Sequence, residues 1–105
     1  MPSARAEVAT DTPDRFAKQL ASHLGRRLEV DETPDGPRLR FPAGNAILRS
    51  EDGRLVMQAT ADDDAALAGI EDVLGRHLER FGSRQGLVVV WAPDGGGAPA
   101  ETVEG

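Results

Sequence analysis

The chemistry-bearing residues of this chain are two histidines, a run of three aspartates and a set of arginines. His23 lies three positions after Leu20 and seven after Phe16, and His77 lies four after Val73 and four before Phe81. On helices, that spacing puts both imidazoles on or beside inward faces. If the two helices lie side by side, the rings can meet and bind a metal or pass a proton. Metal centres, however, normally take three or four ligands, and no HxxxH or ExxH spacing occurs. The simpler expectation is that each His is a half-buried packing residue with one hydrogen bond, to a carboxylate such as Glu71 or Glu79. No metal, cofactor or catalytic residue is assigned.

Asp62, Asp63 and Asp64 are consecutive. Calcium and magnesium loops space their ligands around a Gly turn. Three carboxylates directly before a helix serve more simply as a cap and as partners of the positive end of the helix dipole. Arg38, Arg40 and Arg49 fall on one side of neighbouring strands, and Ile47, Val56, Val88 and Val90 fall on that side too. A sheet face carrying branched apolar and guanidinium groups suits a second copy, a partner domain or an anionic ligand with apolar parts. The Gly run at 95–97 opens no helix, and no Gly-x-Ser-x-Gly frame is present, so neither a phosphate loop nor a nucleophile elbow is expected.

The elements that position these residues follow from periodicity. Residues 3–9 alternate as a half-buried strand, with Ala4, Ala6 and Val8 on one side. Thr12-Pro13 opens a helix, with Thr12 as the cap and Pro13 at the first position. Phe16, Leu20 and Leu24 line its inner face, and Gly25-Arg26-Arg27 ends it. Four short strands follow at residues 28–32, 38–41, 45–50 and 54–61. Asp35-Gly36 reads as the positive-φ pair of a tight hairpin, and Asp52-Gly53 as another hairpin. A second helix carries Leu67, Ile70, Val73, Leu74, Leu78 and Phe81 on its core stripe. Gly69 and Gly75 lie inside that helix, where close packing on the sheet would account for them. The apolar run 87–91 reads as a strand in mid-sheet, or as one whose outer face meets a partner, and Pro93 ends it. The order strand, helix, four-strand meander, helix, strand implies an α+β two-layer sandwich, with both helices on one face of a mainly antiparallel sheet. One domain spans 1–91, and residues 92–105 read as a flexible tail.

Composition narrows the function classes. A chain of 105 residues supports one core. The net charge of −6 disfavours non-specific nucleic-acid binding and anionic membrane surfaces. Eleven of the twelve basic residues are arginine, which coding bias explains as well as any guanidinium chemistry. Cysteine is absent, which removes disulfides, thiol nucleophiles and thiolate metal sites. No secretory signal or membrane-spanning run is visible, so a cytoplasmic protein is expected.

Three segments, RFAKQLASHLGRR (15–27), RLRFPAGNAILRSEDGRLVMQATADD (38–63) and LAGIEDVLGRHLERFGSRQGLVVVW (67–91), resemble a family, the bacterial domain of unknown function 2218. Relatives often carry Cys where this chain has Ala21, and a second His near Arg26, so roles that need those groups do not carry over. Similar domains occur joined to, or near, siderophore-interacting flavin reductases. The resemblance thus implies a bacterial accessory protein linked to siderophore and iron handling, with such a reductase as a partner. The expected function is a non-catalytic binding or accessory module. The alternative is a small metal-binding or enzymatic factor using His23 and His77.

Overall fold

Small apolar residues on alternate positions make Ser3–Ala9 the first strand, β1, and bury Ala4, Ala6 and Val8. The computed structural model describes residues 2–93. Helix α1 follows at Pro13–Leu24, then β2 (Glu29–Thr33), β3 (Gly36–Phe41), β4 (Gly44–Glu51) and β5 (Arg54–Ala61). Helix α2 is Asp64–Phe81, and a short 3-10 turn (Ser83–Gln85) leads to β6 (Trp91–Pro93). The six strands form one antiparallel open sheet in the order β2-β3-β4-β5-β1-β6. Both helices pack on one face, α1 over β3, β4 and β5 and α2 over β1, β4 and β5. This is the α+β architecture and element order expected from periodicity. No helix among the described residues is long and apolar enough to cross a membrane.

The core lies between the helix layer and the sheet. Leu20, Leu39, Leu48, Leu55, Met57, Leu74 and Leu78 are fully buried there. Each buried Leu contributes about 1.5–3 kcal/mol. With four aromatics in the whole chain, aliphatic packing has to supply most of the stability.

The two helix starts differ. Asp63 caps α2, its Oδ1 accepting the Ala66 N–H at 2.7 Å, so the aspartate run is a cap as expected. Thr12 does not cap α1 with its side chain. Its backbone N–H instead donates to Thr10 Oγ1 at 3.2 Å, and Thr10 Oγ1 donates to Gln85 Oε1 at 3.3 Å. Buried Thr10 therefore ties the entry of α1 to the segment after α2, a long-range contact that a local capping pattern cannot reveal.

Two expectations about turns and glycines need correction. The first hairpin turns on Pro34-Asp35, with Thr33 opposite Gly36. Proline holds φ near −65°, so a primed turn is excluded there, and the positive φ falls on Gly36 alone, at 129°. The second hairpin turns on Asp52-Gly53 as expected, with Glu51 opposite Arg54 and a positive φ at Gly53. Gly69 is solvent-exposed with open space around its Cα, so close packing does not explain it. Gly75 is buried against Val89 and against Trp91 of β6, so close packing on the sheet does account for that one.

The largest correction concerns the C-terminal strand. Residues 87–90 are not in a strand, and β6 covers only Trp91–Pro93, at the sheet edge beside β1. Leu87, Val89 and Trp91 pack on the core cluster while Val88 and Val90 face solvent. The apolar run therefore serves a short edge instead of a central strand. Among the described residues β6 ends at Pro93, as expected, and Pro93 pairs with Ala4. A proline lacks an N–H and is tolerated at an edge. The expected tail at 92–105 begins with two residues of β6, and from 94 onward it lies outside the described residues.

Candidate functional site

The stripe that buries Leu74 and Leu78 also sets His77 at the seam between the helices, and the turn after Leu20 sets His23 opposite it. The ring centroids of His23 and His77 are 5.1 Å apart, with the planes tilted by 47°. Phe81 meets both rings edge-on, 5.5 Å from His23 and 6.2 Å from His77. His77 is half-buried and His23 exposed. His77 Nδ1 lies 2.6 Å from the Val73 carbonyl oxygen. Since a carbonyl can only accept, Nδ1 carries a proton, and in the neutral ring it is Nε2 that offers the lone pair. The expected carboxylate partner is therefore replaced by the backbone one turn back, where a helical side chain naturally leans. Glu79 instead accepts the Val89 N–H at 2.9 Å and pins the C-terminal segment to α2. His23 makes no hydrogen bond among the described residues. No group of three or more potential metal ligands is present among the described residues.

On the other face of the sheet, the strand registers place Arg38 opposite Asp31 and Ile47, Arg40 opposite Glu29 and Asn45, and Arg49 opposite Val56. Arg38, Arg40, Arg49, Ile47 and Val56 do share this face, but the guanidinium groups are taken. Asp31 Oδ2 accepts from Arg40 Nε at 2.6 Å and from Arg38 at 3.1 Å. Glu51 accepts from Arg49 and, at 2.7 Å, from Arg54. Glu7 pairs with Arg5 at 2.8 Å and reaches Arg54 at 3.6 Å. Val56 is fully covered between Glu7 and Arg49, and Ile47 is half-buried. The face is an ion-pair lattice with little open apolar area. Asp31, Glu51, Glu7 and Arg54 were not singled out in the sequence, because opposite charges become partners only once the register sets them side by side.

The lattice has a pH signature. Hydrogen bonds from Arg40 and then Arg38 hold the Asp31 carboxyl below the usual carboxylate range, and those from Arg49 and then Arg54 do the same for Glu51. A carboxylate with a depressed folded value adds stability above its unfolded value and loses it as pH falls through the folded one. The urea midpoint should therefore drop as pH is lowered below about 4. The drop should be shallower in Asp31→Asn and weaker in high salt, since these groups are exposed and screened. An identical acid profile in wild type and Asp31→Asn would show that the pairs do not form in solution.

Val88 and Val90 precede β6 outside the paired strands, 68% and 70% exposed, and are the exposed large apolar residues among those described. Beside them, an open recess between α2 and β6 is lined by Glu71, Gly75, Glu79, Val89 and Trp91. Burial pushes the Glu71 carboxyl up. The Trp91 indole Nε1 is buried with no hydrogen-bond partner among the described residues. Neither this recess nor those beside α1 and β2 is lined by either imidazole.

A family model described as an uncharacterized protein conserved in bacteria, domain of unknown function 2218, matches residues 5–92. The chain belongs to this family. A solved structure in the same fold is the NMR structure of PA4090 from Pseudomonas aeruginosa, to which the chain is 26% identical with a TM-score of 0.74. The match covers 97% of this chain and all of that one. No curated protein matches. Membership of the domain of unknown function 2218 family thus brings a bacterial context and a fold, and no assigned activity.

Proposed function

We propose that this member of the family is a non-catalytic accessory module that docks through the rim formed by residues 87–90. The observation behind this reading is the pair Val88 and Val90, 68% and 70% exposed on the unpaired segment that leads into the short edge strand β6. Exposed branched side chains beside a short edge suit strand addition, in which backbone pairing supplies affinity and alternate side chains supply selectivity. A second copy is the first occupant to test, because antiparallel pairing of two such segments sets identical valines against each other. The opposite edge, β2, carries Glu29, Asp31 and Glu32, charges that discourage pairing there. The ion-paired sheet face gives an anionic ligand no free guanidinium cluster among Arg38, Arg40 and Arg49, so the rim takes precedence over that face.

Sedimentation equilibrium tests the reading. Wild type should self-associate with rising concentration, and Val88→Ser with Val90→Ser should stay monomeric with an unchanged melting temperature. A purified siderophore-interacting reductase, the partner class that the family resemblance implies, is the heterologous arm. A chain that stays monomeric at all concentrations and does not bind the reductase would overturn the proposal.

A further inference from the structure

We infer that His23 and His77 form a two-histidine site for a divalent transition ion of the imidazole-binding class, such as zinc, nickel or copper. Three observations carry this. First, a metal holds imidazole nitrogens at about 2.0–2.1 Å, which at tetrahedral angles sets two ring centroids on one ion about 5 Å apart. The observed separation is 5.1 Å, across two different helices. Second, the His77 Nδ1–H is already committed to the Val73 carbonyl at 2.6 Å. Metal-ligating histidines commonly donate their other ring N–H in this way, which fixes the tautomer, orients the ring and leaves Nε2 as the donor. Third, His23 is exposed and has no hydrogen bond among the described residues, so a neutral His23 ring can turn a nitrogen to an ion without giving up a hydrogen bond.

Two protein ligands leave two or more coordination positions to water or to an outside ligand, which makes this an open site and not a closed structural one. Two imidazole donors favour nickel, copper or zinc over calcium and magnesium, which take oxygen ligands. Phe81 stands edge-on to both rings and limits how they swing. Because the ligands come from α1 and α2, a bound ion also clamps the two helices together.

Calorimetric titration of the full chain with zinc or nickel chloride tests the inference. Wild type should bind one equivalent saturably and gain melting temperature. His23→Ala and His77→Ala should each weaken binding by roughly tenfold or more and abolish that gain. His23 is on the surface, so its variant retains the fold even if His77→Ala does not. The absence of saturable binding, or undiminished binding in His23→Ala, would overturn the site and leave the two rings and Phe81 as a packing cluster only.

Discussion

Leu48→Ala is expected to lower stability by about 2–5 kcal/mol, the range for emptying a leucine site that cannot collapse. Leu48 has no exposed surface. It sits on β4, inside the sheet between β3 and β5, and both helices pack over this strand. The cavity would therefore open between two layers that the meander holds rigidly. A domain of this size has about 5–15 kcal/mol in total, so the variant is left near the margin of folding. Each kcal/mol moves the melting temperature of such a domain by about 4–8 °C, so a fall of about 8 °C or more is the expected readout. Urea denaturation should show a lower midpoint with an unchanged slope. A loss below about 1 kcal/mol would mean that the helices settle into the space, and that the layers are looser than the burial indicates.

Gly36→Ala is the second large effect, through the backbone. Gly36 has φ of 129°, a region that side chains avoid at a cost of about 1–3 kcal/mol. An added Cβ would also run into the Leu48 carbonyl oxygen of β4, a backbone atom that cannot rotate away. Overpacking of that kind costs about another 1–3 kcal/mol. Gly36 also presents its carbonyl to Thr33 Oγ1 at 2.6 Å, the bond that closes the turn. The expected loss is thus about 2–6 kcal/mol, with hydrogen exchange rising first in β2 and β3. A neutral substitution would show that the turn relaxes to an ordinary conformation, and that the contact with β4 is dispensable.

Both effects rest on features that differ in how far they can be read in advance. Leu48 was recognisable as an inward residue because Ala46 and Leu48 alternate with Ile47 and Arg49 across one strand. The need for glycine at position 36 was visible in the turn composition, but not its position in the hairpin. Asp35-Gly36 resembles a two-residue primed turn, and Pro34 moves the turn back by one residue. The 87–91 run failed for a related reason. An unbroken apolar stretch reports burial without saying what it is buried against. Here Leu87, Val89 and Trp91 lie along α2 and only the last pairs with β1.

The site divides along the same line. The helical phases of His23 and His77 were legible, because 3.6-residue periodicity is local. Their 5.1 Å approach was not, since it depends on where α1 and α2 settle over the sheet. The arginines at 38, 40 and 49 were assigned to the correct side by alternation alone. That Asp31, Glu51 and Glu7 neutralise this side required the register of five strands.

By itself, then, the sequence determined the element order, the α+β class, the inward faces, the acidic cap of α2 and the family, all of which rest on short-range periodicity, capping chemistry and local motifs. Tertiary structure alone decided the strand order, the edge position of β6, the ion-pair lattice and the meeting of the two histidines. Each of these depends on which distant segments share a surface, and pairing across the chain is set by the packing of the whole core, which no local window of residues contains.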